Sequence, residues 1–442
     1  MFFLYFCGVT HKNKIVKNKS CLFLLFCLIF TSCKTKSVIS VPSPKDIVYF
    51  LASDSLKGRF PGTEGCNEAA AYIAQNFKNA GLIPLDMNMD SLSNFSYFLP
   101  FLAKTPKASY KTQNVAGFIK GTDPELSKEI IVIGAHYDHL GMGGVGSPSR
   151  KPDTLAIHNG ADDNASGCAS VISLAYKFAV HPTKRSLLFI TFGAEEMGLI
   201  GSKAFTKDMN KYLFGQDSIY YMAMVNVDMI GHLRNGWFSI DGTGTSPESH
   251  GLVEHLVDSL DLHISQGASG YGPSDHTSFY LKNIPVFFVH TPAKEDYHTP
   301  FDDADKLYYP GMDSVILVID KLVENLGNRS DRLKFTSTED KMKSSRSHGK
   351  LKVKLGLMPD VTGACEEGMI ADIVVKGKPA YEGGLRNGDI ILSINNRPVK
   401  DVYVYMDILN TLEIGQLITV KVRRGKEDLI FSVLPKENKS NK

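Results

Sequence analysis

The side chains able to do chemistry in this sequence each sit just past an apolar run of strand length. His136 and Asp138 close EIIVIGAHYDH, Asp162 and Asp163 lie in NGADDNASG, and Glu195 and Glu196 follow LLFITFG. Asp228 follows MAMVNV, and His298 comes a short loop after FFVH. Side chains two apart on a strand project the same way, so His136 and Asp138 bring an imidazole and a carboxylate together. A lone buried histidine or aspartate is most often a hydrogen-bonded structural group. Several such residues delivered to the carboxyl ends of one sheet are another matter, because ligands of open α/β sheets bind in the crevice beyond those ends. Two imidazoles and several carboxylates are the nitrogen and oxygen donors that suit zinc. Three ligand carboxylates and one hydroxide balance two divalent ions, whereas one zinc would leave uncompensated negative charge in the cleft.

The elements that must position these residues follow from periodicity. Lys45–Ala52 and Cys66–Ala80 have helical spacing, the second stopped by Gly81, with the turn-rich Gly58–Gly65 between them. Phe95–Phe101 and Val115–Lys120 read as short strands and Ile130–Ala135 as a buried one. Beyond them come helix Ser166–Val180, strand Ser186–Phe192, helix Ser202–Met209, strand Met222–Val227, helix Pro247–Leu260, strand Ile284–Val289 and helix Asp313–Leu326. Such alternation predicts an α/β fold, a mixed and mainly parallel sheet flanked by helices, followed by a second, small β-rich domain.

The 442 residues, 43% of them apolar, can build two cores, and 49 basic against 47 acidic residues leave a formal charge of +2. That balance argues against a nucleic-acid partner. Lys12, Lys14, Lys17 and Lys19 precede the apolar run Cys21–Phe30, which is too short to span a bilayer and reads as an export signal. Phe30-Thr31-Ser32-Cys33 resembles the lipobox of bacterial lipoproteins, although Phe30 replaces the usual leucine; a plain cleaved signal or short anchor is the alternative. The lipobox reading predicts export and a lipid anchor on Cys33 that holds the protein to a membrane facing the periplasm or cell surface. The chain divides into a signal over 1–32, a stem over 33–44, a main domain over 45–330, a linker over 331–350 and a β-rich domain over 351–436. Of seven cysteines, Cys66 and Cys168 are free to pair in an oxidising compartment, but two buried thiols are the expectation.

Taken together, AHYDH, GADDNASG, FGAEEMGLIGS, NVDMIG, SDHTSF and YHTPFD resemble the M28 family of zinc peptidases, the aminopeptidase and glutamate carboxypeptidase group, over about Lys45 to Leu326. The resemblance implies two zinc ions, one held by His136 and Asp228 and the other by Glu196 and His298, with Asp162 bridging both. It further implies Glu195 as general base and acid, Asp138 orienting His136 from behind, and Tyr297 steadying the oxyanion or simply lining the cleft. Two such ions lower the pKa of a water towards about 7. The implied reaction is hydrolysis of a terminal peptide bond, with an aminopeptidase the first choice. Arg59 and Arg150 keep carboxypeptidase polarity open, and glutaminyl cyclisation or metal-free peptide binding on the same scaffold are the other readings. His139 and His158 flank the motifs and read as surface or loop residues, and His276 as cleft wall.

In the last domain, Leu355-Gly356-Leu357-Met358, Gly383-Gly384-Leu385 and Asn387-Gly388-Asp389 before strand Ile390–Asn395 resemble a bacterial-type PDZ domain. That resemblance implies a peptide or protein ligand, its carboxylate held at Leu355–Met358 and its backbone added to a strand edge. A domain that packs on the peptidase without binding peptide is the alternative.

Overall fold

In the computed structural model, residues 41–437 are described apart from 88–94, 106–107, 145–146, 152, 213–218, 234, 259, 339–352, 360–366 and 400–401. The signal, the lipobox and Cys33 therefore lie outside the described residues.

The strand Glu129–His136 (β4 of nine) is buried along its whole length, with Ile131, Val132 and Ile133 wholly inaccessible. Burial of each such side chain contributes about 1.5–3 kcal/mol, and a continuous apolar run of this kind fits only a strand covered on both faces. The other strands of its sheet are β1 Ile83–Pro84, β2 Phe98–Lys104, β3 Ser109–Ile119, β5 Ser186–Phe192, β6 Tyr220–Val227, β7 Trp237–Asp241, β8 His263–Gly267 and β9 Val286–His290. Their order is β1-β3-β5-β4-β6-β9-β7-β8, with β2 also paired to β3. The middle, β5-β4-β6-β9, is parallel. Antiparallel pairs lie on both sides of it, β3 with β5 and β9 with β7. One face packs on helices α1 Pro44–Leu51, α2 Glu64–Ala80, α3 Gly167–Val180 and α7 Tyr309–Asn328. The other packs on α4 Ile200–Lys207 and α6 His276–Tyr280 through Phe192, Phe205 and Phe279.

Local chemistry sets the element ends. Ser43 and Asp46 form a capping box on α1, and Gly81 ends α2 in the left-handed region. Strand β3 begins at Ser109 rather than Val115, because its polar first half pairs with β2 and so carries no apolar signal. The helix expected over Pro247–Leu260 is confined to Ser249–Glu254 with one tighter turn after it, in a stretch weakened by Gly251. The segment read as a linker from Asp331 stays on the domain as far as Thr338: Leu333 is in the core and Thr338 bonds the Tyr280 hydroxyl.

The β-rich domain has its own core and a sheet ordered Leu357–Pro359, Met369–Val374, Asp389–Ile394, Ile418–Arg424 and Glu427–Val433. Asn387-Gly388-Asp389 earns its place physically. Asn387 Oδ1 accepts the Val374 amide, Gly388 takes φ +81°, and buried Asp389 receives both prongs of Arg424 at 2.7 and 2.8 Å. Leu357–Pro359 is the edge strand of that sheet.

Candidate metal centre

Three parallel strands, β4, β6 and β5, end side by side at His136, Val227 and Phe192, and the turns after them carry the polar cluster. At its centre lies Asp163. Its Oδ1 is 3.1 Å from His136 Nε2 and its Oδ2 is 3.0 Å from His298 Nε2. On one side Asp228 Oδ1 is 3.3 Å from His136 Nε2, and on the other Glu196 Oε2 is 3.2 Å from His298 Nε2. Ligand atoms about 2.0–2.2 Å from a common zinc stand at about these mutual distances. His136, Asp163, Glu196, Asp228 and His298 are thus brought together.

Asp162 is not. Its Oδ1 accepts the Gly231 amide at 2.7 Å and its Oδ2 lies 3.8 Å from His232, so it is Asp163, and not Asp162, that lies between His136 and His298. The cause is backbone: Ala161–Ser166 is a wide turn in which Asp163 and Asn164 leave helical angles, with φ/ψ of −104°/92° and −135°/45°. Asp162 therefore faces the Gly231 loop while Asp163 faces the histidines. Neighbouring carboxylates in one motif look alike until the turn is known.

Asp138 also differs in detail from expectation. Its carboxylate lies 3.9 Å from His136 Nδ1, beyond hydrogen-bond distance, and the ring faces the Asp138 carbonyl oxygen at 3.2 Å. The carboxylate instead accepts the amides of Glu195 at 3.0 Å and Glu196 at 3.4 Å, fixing the turn that bears both glutamates. Tyr297 stacks on His298, ring centroids 3.9 Å apart.

Arg59 does not reach the cleft. It is fully buried and spends its guanidinium on the carbonyl oxygens of Tyr137, Leu51, Asn159 and Gly160. His139 and His158 are buried rather than superficial: His158 Nε2 meets Ser149 Oγ at 2.7 Å, and His139 Nδ1 lies 2.9 Å from Glu196 Oε1. His276, equally buried, stacks on Phe288. Sequence reasoning also passed over Ser274, whose hydroxyl donates to Asp228 Oδ2 at 2.7 Å, and Asp302, which accepts the amides of Asp162 and Asp163. Ser274 opens SDHTSF and Asp302 closes YHTPFD, so their signal lay at the ends of motifs already singled out. Cys66 and Cys168 are free and buried, and the Cys168 thiol donates to the His136 carbonyl.

The electrostatics are those of a cation site. Burial alone would lower the His136 imidazole, but Asp228, Glu195 and Asp163 outweigh it and hold it well above its ordinary value. Burial opposes His298 in the same way, and Glu196 and Asp163 raise it to about 10. For Asp163 burial works upward, yet His136 and His298 hold it well below the usual carboxylate range. Glu195 goes the other way: burial raises it well above its ordinary value, with Glu196 and Asp275 adding and His136 opposing. Burial and the surrounding carboxylates, Asp163 first, keep the Tyr297 phenol protonated. The field that draws protons onto these imidazoles is the one that favours a divalent ion among them.

Residues 114–323 match the model of peptidase family M28, and residues 342–434 match that of the PDZ domain. The probable leucine aminopeptidase 2 of Aspergillus oryzae is 25% identical over 253 residues, covering 55% of this chain and 43% of that protein. The probable lipoprotein aminopeptidase LpqL of Mycobacterium tuberculosis is 28% identical over 191 residues, covering 40% of this chain and 34% of that protein. The chain therefore spans less than half the length of either. The LapA aminopeptidase of Legionella pneumophila shares the fold, with a TM-score of 0.50 at 20% identity over 72% of this chain and 81% of that one. The two matched segments and the arrangement of side chains at the strand ends agree, and the chain carries an M28 peptidase domain followed by a PDZ domain.

Proposed function

We propose that the protein is a two-zinc exopeptidase of aminopeptidase type, and the observation that carries the proposal is Asp163 turning one oxygen to His136 and the other to His298. In this reading His136 and Asp228 hold one ion, Glu196 and His298 the other, and Asp163 joins them. Zinc, when bound, supplies Lewis acidity that brings a water's pKa towards about 7 and draws charge off a carbonyl oxygen.

The chain's own groups do the rest. Glu195, raised by burial and fixed by the Asp138 clasp on its amide, takes the proton from the attacking water and passes it to the departing amine nitrogen. Tyr297, held protonated, donates a hydrogen bond to the carbonyl oxygen as it gains negative charge. Amino-end polarity is supported by the names of the relatives and by the confinement of Arg59, which leaves that guanidinium unable to receive a substrate carboxylate. Export, a lipid on Cys33 and a chain-end ligand for the PDZ domain beside Leu357–Pro359 complete the reading, with a peptidase domain that runs from 45 past 330 to Thr338 and the PDZ domain over 351–436.

The test is a panel of aminoacyl, N-blocked and N-terminal glutaminyl peptides, assayed with and without a chelator. Chelator-sensitive release of the first residue from unblocked peptides only is the expected result. Cleavage of blocked peptides from the carboxyl end, pyroglutamate formation or no turnover would each replace the reading. Glu195→Gln should keep both metals and lose nearly all turnover; retained turnover removes Glu195 from the mechanism.

A further inference from the structure

His139 is buried in a slot shaped for it. Gly160, at φ +59°, faces the ring so closely that a Cβ there would stand 2.6 Å from its Cγ and Cδ2, so the chain keeps that position bare. The His139 ring meets that of His298 edge-on, centroids 5.7 Å apart. Nδ1 points at Glu196 Oε1 from 2.9 Å and lies 3.8 Å from Asp163 Oδ2. Yet among the described residues neither ring nitrogen of His139 makes an aligned hydrogen bond, and neither does Glu196 Oε1. Buried polar atoms that face each other at such a distance without aligning are placed for a common third partner rather than for one another.

The spacing says what that partner is. Donor atoms about 2.1 Å from one tetrahedral zinc stand about 3.4 Å apart, and the 2.9 and 3.8 Å distances straddle that value. His139, Asp163 and Glu196 offer three ligand atoms mutually within 4.8 Å, and His298 Nε2 lies 3.0 and 3.2 Å from the oxygens of the same two carboxylates. Resting on the two-ion reading above, we infer that His139 Nδ1 is a further ligand of the ion on the Glu196–His298 side. That ion then has two imidazoles and two carboxylates, while its neighbour has His136, Asp163 and Asp228. The Glu196 side would thus offer four protein ligands and the His136–Asp228 side three.

Wild-type full chain carrying 13C,15N-labelled histidine is loaded with 113Cd2+, and cadmium–nitrogen couplings are read at each imidazole, each ring being assigned by through-bond correlation to its own backbone on the same sample. Couplings at His136 and at both His298 and His139 are expected. His139→Gln retains an amide donor but no ring nitrogen, and should weaken one of the two zinc equivalents by about 100-fold or more, beyond the 10–100-fold typical of changes behind the ligands. Two bound equivalents with no coupling at His139, or a His139→Gln chain holding both ions within threefold of wild type, overturns this proposal alone. A wild-type chain that binds only one equivalent overturns the two-ion reading as well. The coupling is measured on unmutated protein, so the outcome does not depend on whether the variant folds.

Discussion

Arg59→Met tests how far the site depends on a residue that never touches it. The Arg59 side chain donates to Tyr137 O at 2.7 Å, Asn159 O at 2.6 Å, Gly160 O at 2.9 Å and Leu51 O, and it is fully buried. Hydrogen bonds to a charged group contribute about 1.5–3 kcal/mol each, and a buried acceptor stripped of its donor costs about 1–3 kcal/mol. Gly160 O also accepts the Ala165 amide, so three stranded carbonyls would total about 3–9 kcal/mol, less the cost of burying the guanidinium itself, which desolvation pushes below its ordinary pKa. The expected loss is therefore about 4 kcal/mol, with Arg59→Lys losing about half of it because an ammonium cannot reach four diverging acceptors. Urea unfolding followed by tryptophan fluorescence isolates the effect, since the single tryptophan, Trp237, lies in the peptidase sheet and not in the PDZ domain. Tyr137 lies between His136 and Asp138, and Gly160 opens the turn bearing Asp163, so metal affinity should fall together with stability. A loss under 1 kcal/mol with unchanged metal content would refute the idea that this guanidinium ties the metal-bearing turns together.

Asp163→Asn should release both ions, each weakened by about 100-fold or more, whereas Asp162→Asn should keep both because an amide oxygen can still accept the Gly231 amide; equal metal contents would refute the division. His276 supplies a pH test. Burial, with His290 adding, lowers it to about 3 from the 6.5 of the unfolded chain. Between those values the unfolded chain binds the extra proton, so the stability this residue confers is complete above pH 6.5 and declines as pH falls towards 3. His276→Gln should therefore recover about 2–3 kcal/mol relative to wild type on going from pH 7 to 4.5, read as urea midpoints; an unchanged difference would refute it.

How much of this could be read from the chain alone depended on what each residue's signal was made of. The buried strands β4, β5 and β6 were legible because four to eight consecutive apolar residues leave few alternatives, and their ends located the clustered histidines and carboxylates. Strands β7 and β8 were not: Trp237–Asp241 buries only the run 238–240, too short and mixed to show a period, and His263–Gly267 is a half-exposed edge strand. The choice between Asp162 and Asp163 was hidden for a different reason. It turns on backbone angles within one irregular turn, and no periodic pattern encodes them. His139 carries no local signal: one residue past the HxD motif it resembles loop, and only the opposing Glu196, 57 positions later, gives it a partner. Arg59 is of the same kind, a polar residue in a turn-rich loop whose acceptors are spread from Leu51 to Gly160.

These long-range contacts share a design. The turns bearing Asp163, Glu196 and Asp228 are each clasped by a polar side chain from another turn. Asp138, after β4, takes the amides of Glu195 and Glu196 after β5. Asn164 accepts the Met229 amide and donates to Val227 O, gripping Asp228 from both sides. Asp302, past β9, takes the amides of Asp162 and Asp163, while Ser274 braces Asp228 Oδ2 and is itself bonded by Asn226. Turns after separate strands would otherwise place donors with the scatter of independent loops, and a metal site tolerates little of that. With the clasps closed, the turns form one network, and removing any one loosens ligands it does not contact. Double substitutions among Asp138, Asn164, Ser274 and Asp302 should then cost metal affinity non-additively, the second change adding less than it does alone, because the first has already freed the network they share.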